Sequence, residues 1–384
     1  MPRLNRCLLF LYAMAVTGSF LSFTVPTFAQ SKPHKSLPQP TGRLAARMRL
    51  GDGRQTWHPT RKQLGVAYAP GGSESSALGM FKFVVNRAKL RAYLNGIAPY
   101  IRRAPKNARP MIEHASSDDM GEGQVAAEIS PGYDGAVLDI DAAVDQVQKA
   151  IEADPSVVHI ILPIKSKPAK VSAEALKGID ARIGYFITRF NPGDEGRTAT
   201  VRRAINIIDG TIVPPSAVFS VDKTVGPRDP AHGFFGKGHV FINGHMELQS
   251  GGGMCQVATT LFNASMLTNL KIVERHQHVR TVPYVDPGRD ATIYHGQKDF
   301  RIQNDTSAPI YISYKTSHSH AIVSIFGKGT SGLKVRLVSR YRHLGERHYT
   351  GTFYRVISEP GSAPRKDSPF QSNYKWTPDL DYSH

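Results

Sequence analysis

The sequence predicts an α+β protein, with an N-terminal α+β binding domain followed by a β-rich domain. Leu90, Leu94 and Ile97 recur at helical spacing after Asn86, which can cap that helix. A β-branched run over 157–164, bounded by prolines, is typical of a buried strand. Later in the chain, short apolar runs separated by Pro and Gly signals indicate β structure. Helical and strand patterns therefore mix in the first half, and strand patterns dominate the second.

Further elements follow from the same patterns. Asp141 can cap a second helix, and Thr198 or Thr200 can cap a third. The alternation over 306–327 predicts a β-hairpin. In the Arg- and Tyr-rich tail, the sequence predicts one more pair of strands, 333–341 and 351–359.

The amino terminus has the pattern of a secretory signal peptide over 1–29. Arg3 and Arg6 precede an apolar stretch over 8–23, and small residues follow near position 29. A retained membrane anchor is the alternative, although the apolar stretch is short for a spanning helix. We expect cleavage, no later membrane span, and an extracytoplasmic protein that is associated with the cell wall or secreted.

The chain of 384 residues has a formal net charge of +17, which favours anionic partners. An exported protein does not normally meet nucleic acid, so we expect no nucleic-acid partner. Acidic polymers outside the cell, including peptidoglycan and anionic wall polymers, are the partners that this charge predicts.

Changes in composition and stretches rich in Pro or Gly divide the remaining chain into four segments. A polar, Pro-rich stretch over 30–41 is typical of a flexible linker. A binding domain is expected at 42–180, because this segment has no group of residues typical of a catalytic nucleophile. A β-rich domain is expected at 181–329, and a C-terminal β extension and tail at 330–384.

Of the two cysteines, one lies outside the predicted signal peptide. The two cysteines are Cys7, within the predicted signal peptide, and Cys255. Three glycines precede the helical pattern around Cys255, so we expect the helix to begin there, with the thiol at its N-terminus. That position stabilises a thiolate, and nearby backbone N–H groups can bind an oxyanion. The alternative is a buried structural cysteine after a tight turn.

A nucleophilic cysteine requires a base, and His276, His278 and His295 follow it. Asp290 and Asp299 can orient an imidazole. A zinc site built from the thiol and these histidines is the alternative, but the ligand spacing is unlike that of recognised zinc sites. We expect no metal and no cofactor.

Several stretches of the second half resemble the VanW family, named for an accessory protein of vancomycin-resistance clusters. The region from 47 to 179 is similar to the peptidoglycan-binding domain that precedes VanW domains in YoaR-like proteins. The VanW-like stretches, which lie within 185–329, are Arg189-Phe190-Asn191-Pro192, Phe219-Ser220, Val225-Gly226-Pro227-Arg228, Gly251-Gly252-Gly253-Met254-Cys255-Gln256, Thr260-Leu261-Phe262-Asn263-Ala264, Glu274-Arg275 with His278, and Gly288-Arg289-Asp290-Ala291-Thr292.

The resemblance implies a cell-wall protein with L,D-transpeptidase activity, in which a cysteine thioester leads to 3-3 cross-links. The catalytic roles then belong to Cys255 and His278, although the neighbouring His276 leaves the identity of the base open. A non-catalytic peptidoglycan-binding or vancomycin-resistance accessory protein is the alternative. An endopeptidase of the papain or NlpC type is similar only in the placement of its cysteine. The residues expected to bind substrate or an oxyanion are Gly252, Gly253, Gln256, Arg275, Arg289 and Asp290.

Overall fold

The structure is a computed structural model with mixed helix and sheet, as the predicted α+β class requires. The predicted signal peptide and most of the linker lie outside the described residues, whereas Thr41, the last residue of that linker, begins a short helix. The described residues are 41–70, 81–112, 123–154, 156–242 and 245–376.

The first third of the chain alternates short strands with two longer helices. Its elements are α1 (Thr41–Leu44), β1 (Arg49–Gly51), β2 (Thr56–Trp57), β3 (Val66–Pro70), β4 (Phe81–Val85), α2 (Arg87–Ile101), β5 (Arg109–Met111), β6 (Val125–Ala126), β7 (Glu128–Ser130), β8 (Gly135–Leu138), α3 (Ile140–Ala153), β9 (His159–Ile161) and β10 (Ile164–Lys167).

Helices α2 and α3 pack together, and both bury the faces that their apolar spacing predicts. The side chain of Asn86 caps α2, which confirms that prediction. The cap of α3 is Asp139, because its carboxylate accepts the Ala142 N–H, so the prediction of Asp141 was wrong by two residues. The predicted strand over 157–164 is two strands, β9 and β10, because Pro163 interrupts it.

The middle of the chain contains the largest apolar cluster. Its elements are β11 (Ala181–Arg189), α4 (Glu195–Ile208), β12 (Thr211–Val213), β13 (Val218–Ser220), α5 (Val221–Val225), β14 (Lys237–Ile242), β15 (His245–Ser250), α6 (Met254–Met266), β16 (Lys271–Glu274), β17 (Arg301–Gln303), β18 (Ile310–Ser317) and β19 (His320–Gly327).

A five-stranded sheet of order β12-β18-β19-β11-β6 supports this region, and its β18–β19 pair is the predicted hairpin. Helices α4 and α6 pack against the sheet and against each other. Asp194 caps α4, so neither Thr198 nor Thr200 is the cap; both threonines are buried inside the helix instead. Helix α6 is buried along almost its whole length, which holds its first turn in a fixed position.

The C-terminal part forms an antiparallel sheet that packs on the middle region. Phe353 and Phe370 of this sheet make edge contacts with Phe262 of α6, at ring-centroid distances of 5.6 and 5.5 Å. The long hairpin β20–β21 corresponds to the predicted strand pair at 333–341 and 351–359. The strands are β20 (Lys334–Gly345), β21 (His348–Ser358), β22 (Arg365–Lys366) and β23 (Phe370–Lys375).

Separate apolar clusters occupy the first third and the middle of the chain. A smaller cluster joins them, because Ala108 and Leu176 pack with Tyr311 and Phe326 of the central hairpin. Strand β6, from the first half of the chain, also extends the central sheet beside β11. The boundary expected near residue 180 therefore stays a prediction. Among the described residues, no helix has the length and apolar character needed to cross a membrane.

Candidate active site

Helix α6 begins directly after the glycine run, and Cys255 is its second residue. Gly253 adopts a φ of 101°, a conformation that L side chains rarely adopt, and it precedes the helix without a side-chain cap. A Cβ on Gly252 would lie 2.4 Å from the Cα of Gly238 in β14. The glycines therefore let the β14–β15 hairpin approach the start of the helix, where the thiol lies at the positive end of the helix dipole.

The Cys255 thiol is half-buried against the segment that follows Asp290. Its Sγ lies 3.2 Å from Thr292 Oγ1 and 3.7 Å from the Ile293 carbonyl oxygen. His278 lies close enough to Cys255 for its charge and its hydrogen-bonding capacity to lower the pKa of the thiol. The thiol therefore has a polar hydroxyl on one side and an imidazole on another.

His278 is held by the carboxylate of Asp290. The Nδ1 atom of His278 lies 2.6 Å from Asp290 Oδ2, and the same oxygen accepts the backbone N–H of His278 at 2.7 Å. Because Nδ1 is engaged by the carboxylate, Nε2 is the ring nitrogen left for the thiol. Cys255, His278 and Asp290 thus have the order of nucleophile, base and orienting acid.

The electrostatics of this group favour a thiolate–imidazolium pair. Burial raises the pKa of Cys255, but the charge of His278 and a hydrogen bond from it lower the pKa to about 7. Burial lowers the pKa of His278, while Cys255 and Asp290 together raise it to about 9. The two groups are coupled, so these values describe the titration of the pair. Between about pH 7 and about pH 9 the thiol is mostly ionised and the imidazole is mostly protonated.

Asp290 is almost fully buried and takes hydrogen bonds from several sides. Arg275 donates to Asp290 Oδ1 at 2.9 Å and to the Asp290 carbonyl at 2.7 Å. The hydroxyl of Tyr374, in β23, donates to the same Oδ1 and accepts the Gly288 N–H at 2.7 Å. Burial raises the pKa of Asp290, but His278 and Arg275 lower it below its usual value, so the carboxylate stays charged.

A cavity of about 580 Å³ opens in front of the thiol. No Asp or Glu side chain is among the described residues that line it, whereas several cationic or titratable side chains are. The residues around the cavity are Arg197, His239, Val240, Gly251–Gln256, Gln277–Arg280, Val282, Tyr284, Thr292–Tyr294, Gln297 and Lys298. Such a lining suits a substrate with a negative charge near the reacting bond.

Gly252 and Gly253, for which the sequence predicts contact with substrate or an oxyanion, are among the residues that line the cavity. Gln256 is fully buried: its Nε2 donates to Arg189 O at 2.9 Å, and its Oε1 accepts from Arg197 at 2.7 Å. The Gln256 backbone N–H also bonds the Gly253 carbonyl, at 3.1 Å. These contacts make Gln256 a support for the helix start.

Arg275 and Arg289, expected in contact with substrate, lie behind the site and are not among the described residues that line the cavity. Arg275 donates to Ser372 Oγ at 3.0 Å as well as to Asp290. Arg289 donates to Asn263 Oδ1 at 3.0 Å and lies over two aromatic rings. Both guanidinium groups are engaged within the protein.

The other candidate bases face different carboxylates. His276 Nε2 lies 2.8 Å from Glu274 Oε1, and His295 Nδ1 lies 3.1 Å from Asp222 Oδ2. Asp299, the second candidate orienter, accepts the backbone N–H of Asp222 at 2.8 Å. His278 and Asp290 are therefore the pair that meets the thiol.

Sequence reasoning did not single out Thr292, Tyr284 or Tyr374. Thr292 ends the Gly-Arg-Asp-Ala-Thr stretch, so its place in that motif was an available signal. Burial raises the pKa of Tyr284 well above its usual value, and this side chain lines the cavity. Tyr374 is 84 residues from Asp290, and no local pattern indicates that they meet.

The described residues contain no group of three or more His, Cys, Asp or Glu side chains that could hold a metal ion. The predicted absence of a metal and of a cofactor stays a prediction.

Comparisons with known proteins show that the chain contains a VanW-like domain. Residues 196–326 match the family described as VanW like protein. The chain is 35% identical over 172 residues to the uncharacterized protein YoaR of Bacillus subtilis, a match that covers 44% of this chain and 56% of YoaR. It is 29% identical over 138 residues to the vancomycin B-type resistance protein VanW of Enterococcus faecalis, covering 34% of this chain and 50% of that protein.

The chain thus spans about half the length of the curated relatives it matches. The comparison with solved structures found no significant match. The recognised domain includes Cys255, His278 and Asp290, whereas Ser372 and Tyr374 lie beyond it.

Proposed function

We propose that this protein is a cysteine acyltransferase of the bacterial cell wall, an L,D-transpeptidase that joins peptidoglycan stem peptides through 3-3 cross-links. The observation that carries the proposal is the arrangement of Cys255, His278 and Asp290 at the wall of a cavity, where His278 is hydrogen-bonded to Asp290 and its charge lowers the pKa of the thiol. The similarity to a vancomycin-resistance protein supports the cell wall as the place of action.

The first half of the reaction forms a thioester. The Cys255 thiolate attacks the carbonyl carbon of the third stem residue, and the amide bond to the terminal D-alanine breaks. His278, which is protonated in the resting pair, gives its proton to the departing amine. Backbone N–H groups around Gly252 and Gly253 would stabilise the oxyanion, because this glycine segment lines the cavity beside the thiol.

The second half regenerates the enzyme. An amine of a neighbouring stem attacks the thioester carbonyl, and neutral His278 accepts the proton that this amine loses. The bond between sulfur and carbon breaks, and the thiolate returns to its ion pair with the imidazolium. Attack by water in place of the amine would release a shortened stem, as in a carboxypeptidase.

The lining of the cavity supports a stem peptide as the donor. The leaving D-alanine has a free carboxylate, and Arg197 and Lys298 are cationic side chains of the lining. Cys255 lines the cavity beside Thr292, so a carbonyl bound in the cavity can approach the thiol. The segment at 42–180 would then bind the wall polymer and hold the catalytic domain near its substrate, after export directed by residues 1–29.

The test is to incubate the protein with disaccharide-tetrapeptide muropeptides and to analyse protein and products by mass spectrometry. We expect an acyl adduct on Cys255 and dimers joined 3-3. Cys255→Ala should give neither, while its thermal unfolding midpoint stays close to that of the wild type. Cys255→Ser is a second variant, because it keeps the polar contact to Thr292 and lacks the thiolate.

Each outcome has a distinct meaning. Shortened monomers without dimers would assign carboxypeptidase activity to the same site. Turnover by a folded Cys255→Ala protein would overturn the proposal. Absence of any adduct or product from folded wild-type protein would favour the non-catalytic wall-binding alternative.

A further inference from the structure

The C-terminal sheet has two faces of opposite character. One face packs on the middle region, where Phe353, Ser372 and Tyr374 are buried and the last two contact residues of the active site. Because side chains alternate along each strand, the neighbouring positions project from the other face, away from the active site. We call this second face the outer face.

The strand register defines which side chains share the outer face. Arg340 pairs with Thr352, and Lys375 pairs with His348, so these positions lie on the same side of the sheet. Six Lys and Arg residues, all exposed, occupy it: Lys334, Arg336, Arg340, Arg342, Lys366 and Lys375.

No carboxylate lies on the outer face among the strand residues of this sheet. Among the described residues, none of the six cations forms an ion pair. Of the acids beside these strands, Glu346 pairs with Arg347, and Asp367 pairs with Arg355 and Arg365. Glu359, which follows β21, is exposed. The positive charge of the outer face is therefore not neutralised within the described part of the protein.

The spacing of the charges suits a chain-like anion better than a small one. Lys334 and Arg342 are eight residues apart on one strand, a distance of about 26 Å at the usual rise of a β-strand. Lys366 and Lys375 add charge two strands away, about 10 Å to the side of β20. One phosphate or carboxylate can contact only a few of the six cations on the outer face.

The side chains between the cations favour a polyol over a nucleic acid. Thr350, Thr352, Gln371 and Asn373 lie on the outer face and can hydrogen-bond hydroxyl groups. Single-stranded nucleic acid is usually bound by aromatic rings on which bases stack. Two aromatic rings lie among the strand residues of this face: Lys366 covers Tyr354 at 4.1 Å, and His348 Nε2 lies 2.9 Å from Asn373 Oδ1, so neither ring is an open stacking platform.

We propose that the outer face is a binding surface for a polyol-phosphate polymer, a chain in which phosphodiesters alternate with hydroxyl-bearing units. Arg and Lys side chains along β20 contact successive phosphates, and the Thr, Asn and Gln side chains contact the hydroxyls between them. The surface is separate from the cavity at Cys255, so binding there does not depend on the acyl transfer proposed above. It would hold the protein on an anionic polymer while the cavity, whose lining includes none of the six cations, stays available to the peptide substrate.

The test measures binding of fluorescently labelled poly(glycerol phosphate) by anisotropy over a range of salt concentrations. The triple variant Arg336→Gln, Arg340→Gln, Arg342→Gln should bind about tenfold more weakly or worse, and its log–log salt slope should fall by about 2. A matched triple variant, Arg54→Gln, Lys62→Gln, Lys149→Gln, loses the same net charge from exposed positions between residues 54 and 149. It should bind within about twofold of the wild type.

Equal weakening in both triple variants would overturn the proposal, because net charge alone would then explain binding. So would unchanged binding in the β20 variant. Tighter binding of poly-L-glutamate or of single-stranded DNA than of poly(glycerol phosphate), at equal charge, would assign the surface to another class of polymer. Alkylation of Cys255 in both variants at the wild-type rate would show that the fold and the active site are intact.

Discussion

Two His–Asp–Arg clusters lie in the same region of this protein, and they differ in what surrounds them. In one, His278 and Arg275 both contact Asp290, whose side chain is 2% exposed. In the other, His295 and Arg228 both contact Asp222, and the His295 side chain is 49% exposed. The residue types are identical, yet the first cluster meets a thiol and the second does not.

The use of the arginines differs as well. Arg275 donates to Asp290, Gly288 and Ser372, so its guanidinium is held from several directions. Arg228 pairs with Asp222, but its buried Nε and one terminal nitrogen have no hydrogen-bond partner among the described residues. The comparison indicates that a histidine and a carboxylate alone do not make a reactive site. Burial, a fully bonded carboxylate and a neighbouring thiol make the difference.

The largest expected effect comes from His278→Ala, with His295→Ala as its matched control. Without the imidazolium, burial alone acts on the thiol, so the pKa of Cys255 should rise from about 7 to its ordinary value or above. The rate of alkylation by iodoacetamide at pH 7 should fall about thirtyfold. In the wild type, the rate should increase as pH rises through about 7, because the thiolate forms there.

His295→Ala should change the alkylation rate less than about twofold, since surface substitutions away from the reactive group have small effects. A similar loss in both variants would contradict the distinction between the clusters. Acyl transfer, if measured with muropeptides, should fall about a hundredfold or more in His278→Ala because proton transfer is lost as well.

A smaller effect is expected from Asp290→Asn, compared with Asp222→Asn. The amide keeps the shape of Asp290 but removes the charge that raises the pKa of His278. A lower pKa of His278 weakens the ion pair, and the alkylation rate at pH 7 should fall about fivefold if the apparent pKa of Cys255 rises from about 7 by about one unit. Rates are measured per folded molecule, with folding assessed by circular dichroism.

The corresponding rate for Asp222→Asn should stay within about twofold of the wild type. An unchanged pH profile in folded Asp290→Asn would show that Asp290 has only a structural role.

The smallest effect on the thiol should come from Tyr374→Phe, which tests whether the C-terminal sheet supports the site. Loss of the hydroxyl removes a donor to Asp290 and leaves the Gly288 N–H without its acceptor. The free energy of unfolding, measured by urea denaturation, should fall by about 1–3 kcal/mol, while the alkylation rate of Cys255 changes less than about threefold. Tyr354→Phe, on the outer face of the same sheet, should lower the free energy of unfolding by less than about 0.5 kcal/mol. Equal stability of the two variants would contradict this role of Tyr374.

Local patterns were sufficient for many elements of the fold. Helical spacing located α2 and α3, and alternation located the β18–β19 hairpin, because each depends on residues close together in the chain. Cap positions were harder: Asp139 and Asp194 cap α3 and α4, although acceptable caps stood within a few residues of each. Which side chain reaches the helix N-terminus depends on how the preceding loop enters, and that is a tertiary property.

The sequence by itself determined that Cys255 begins a helix, because a run of glycines followed by an apolar helical pattern is a local signal. It also limited the base and its partner to a few His and Asp residues. Only the tertiary structure shows that His278 and Asp290 are the pair beside the thiol, whereas His276 contacts Glu274. It also shows that Arg275 and Arg289 lie behind the site. It also brought Tyr374 to Asp290. Apart from the His276–Glu274 contact, these contacts join residues at least 12 positions apart in the chain, and the packing of α6 between the central and C-terminal sheets decides which of them meet.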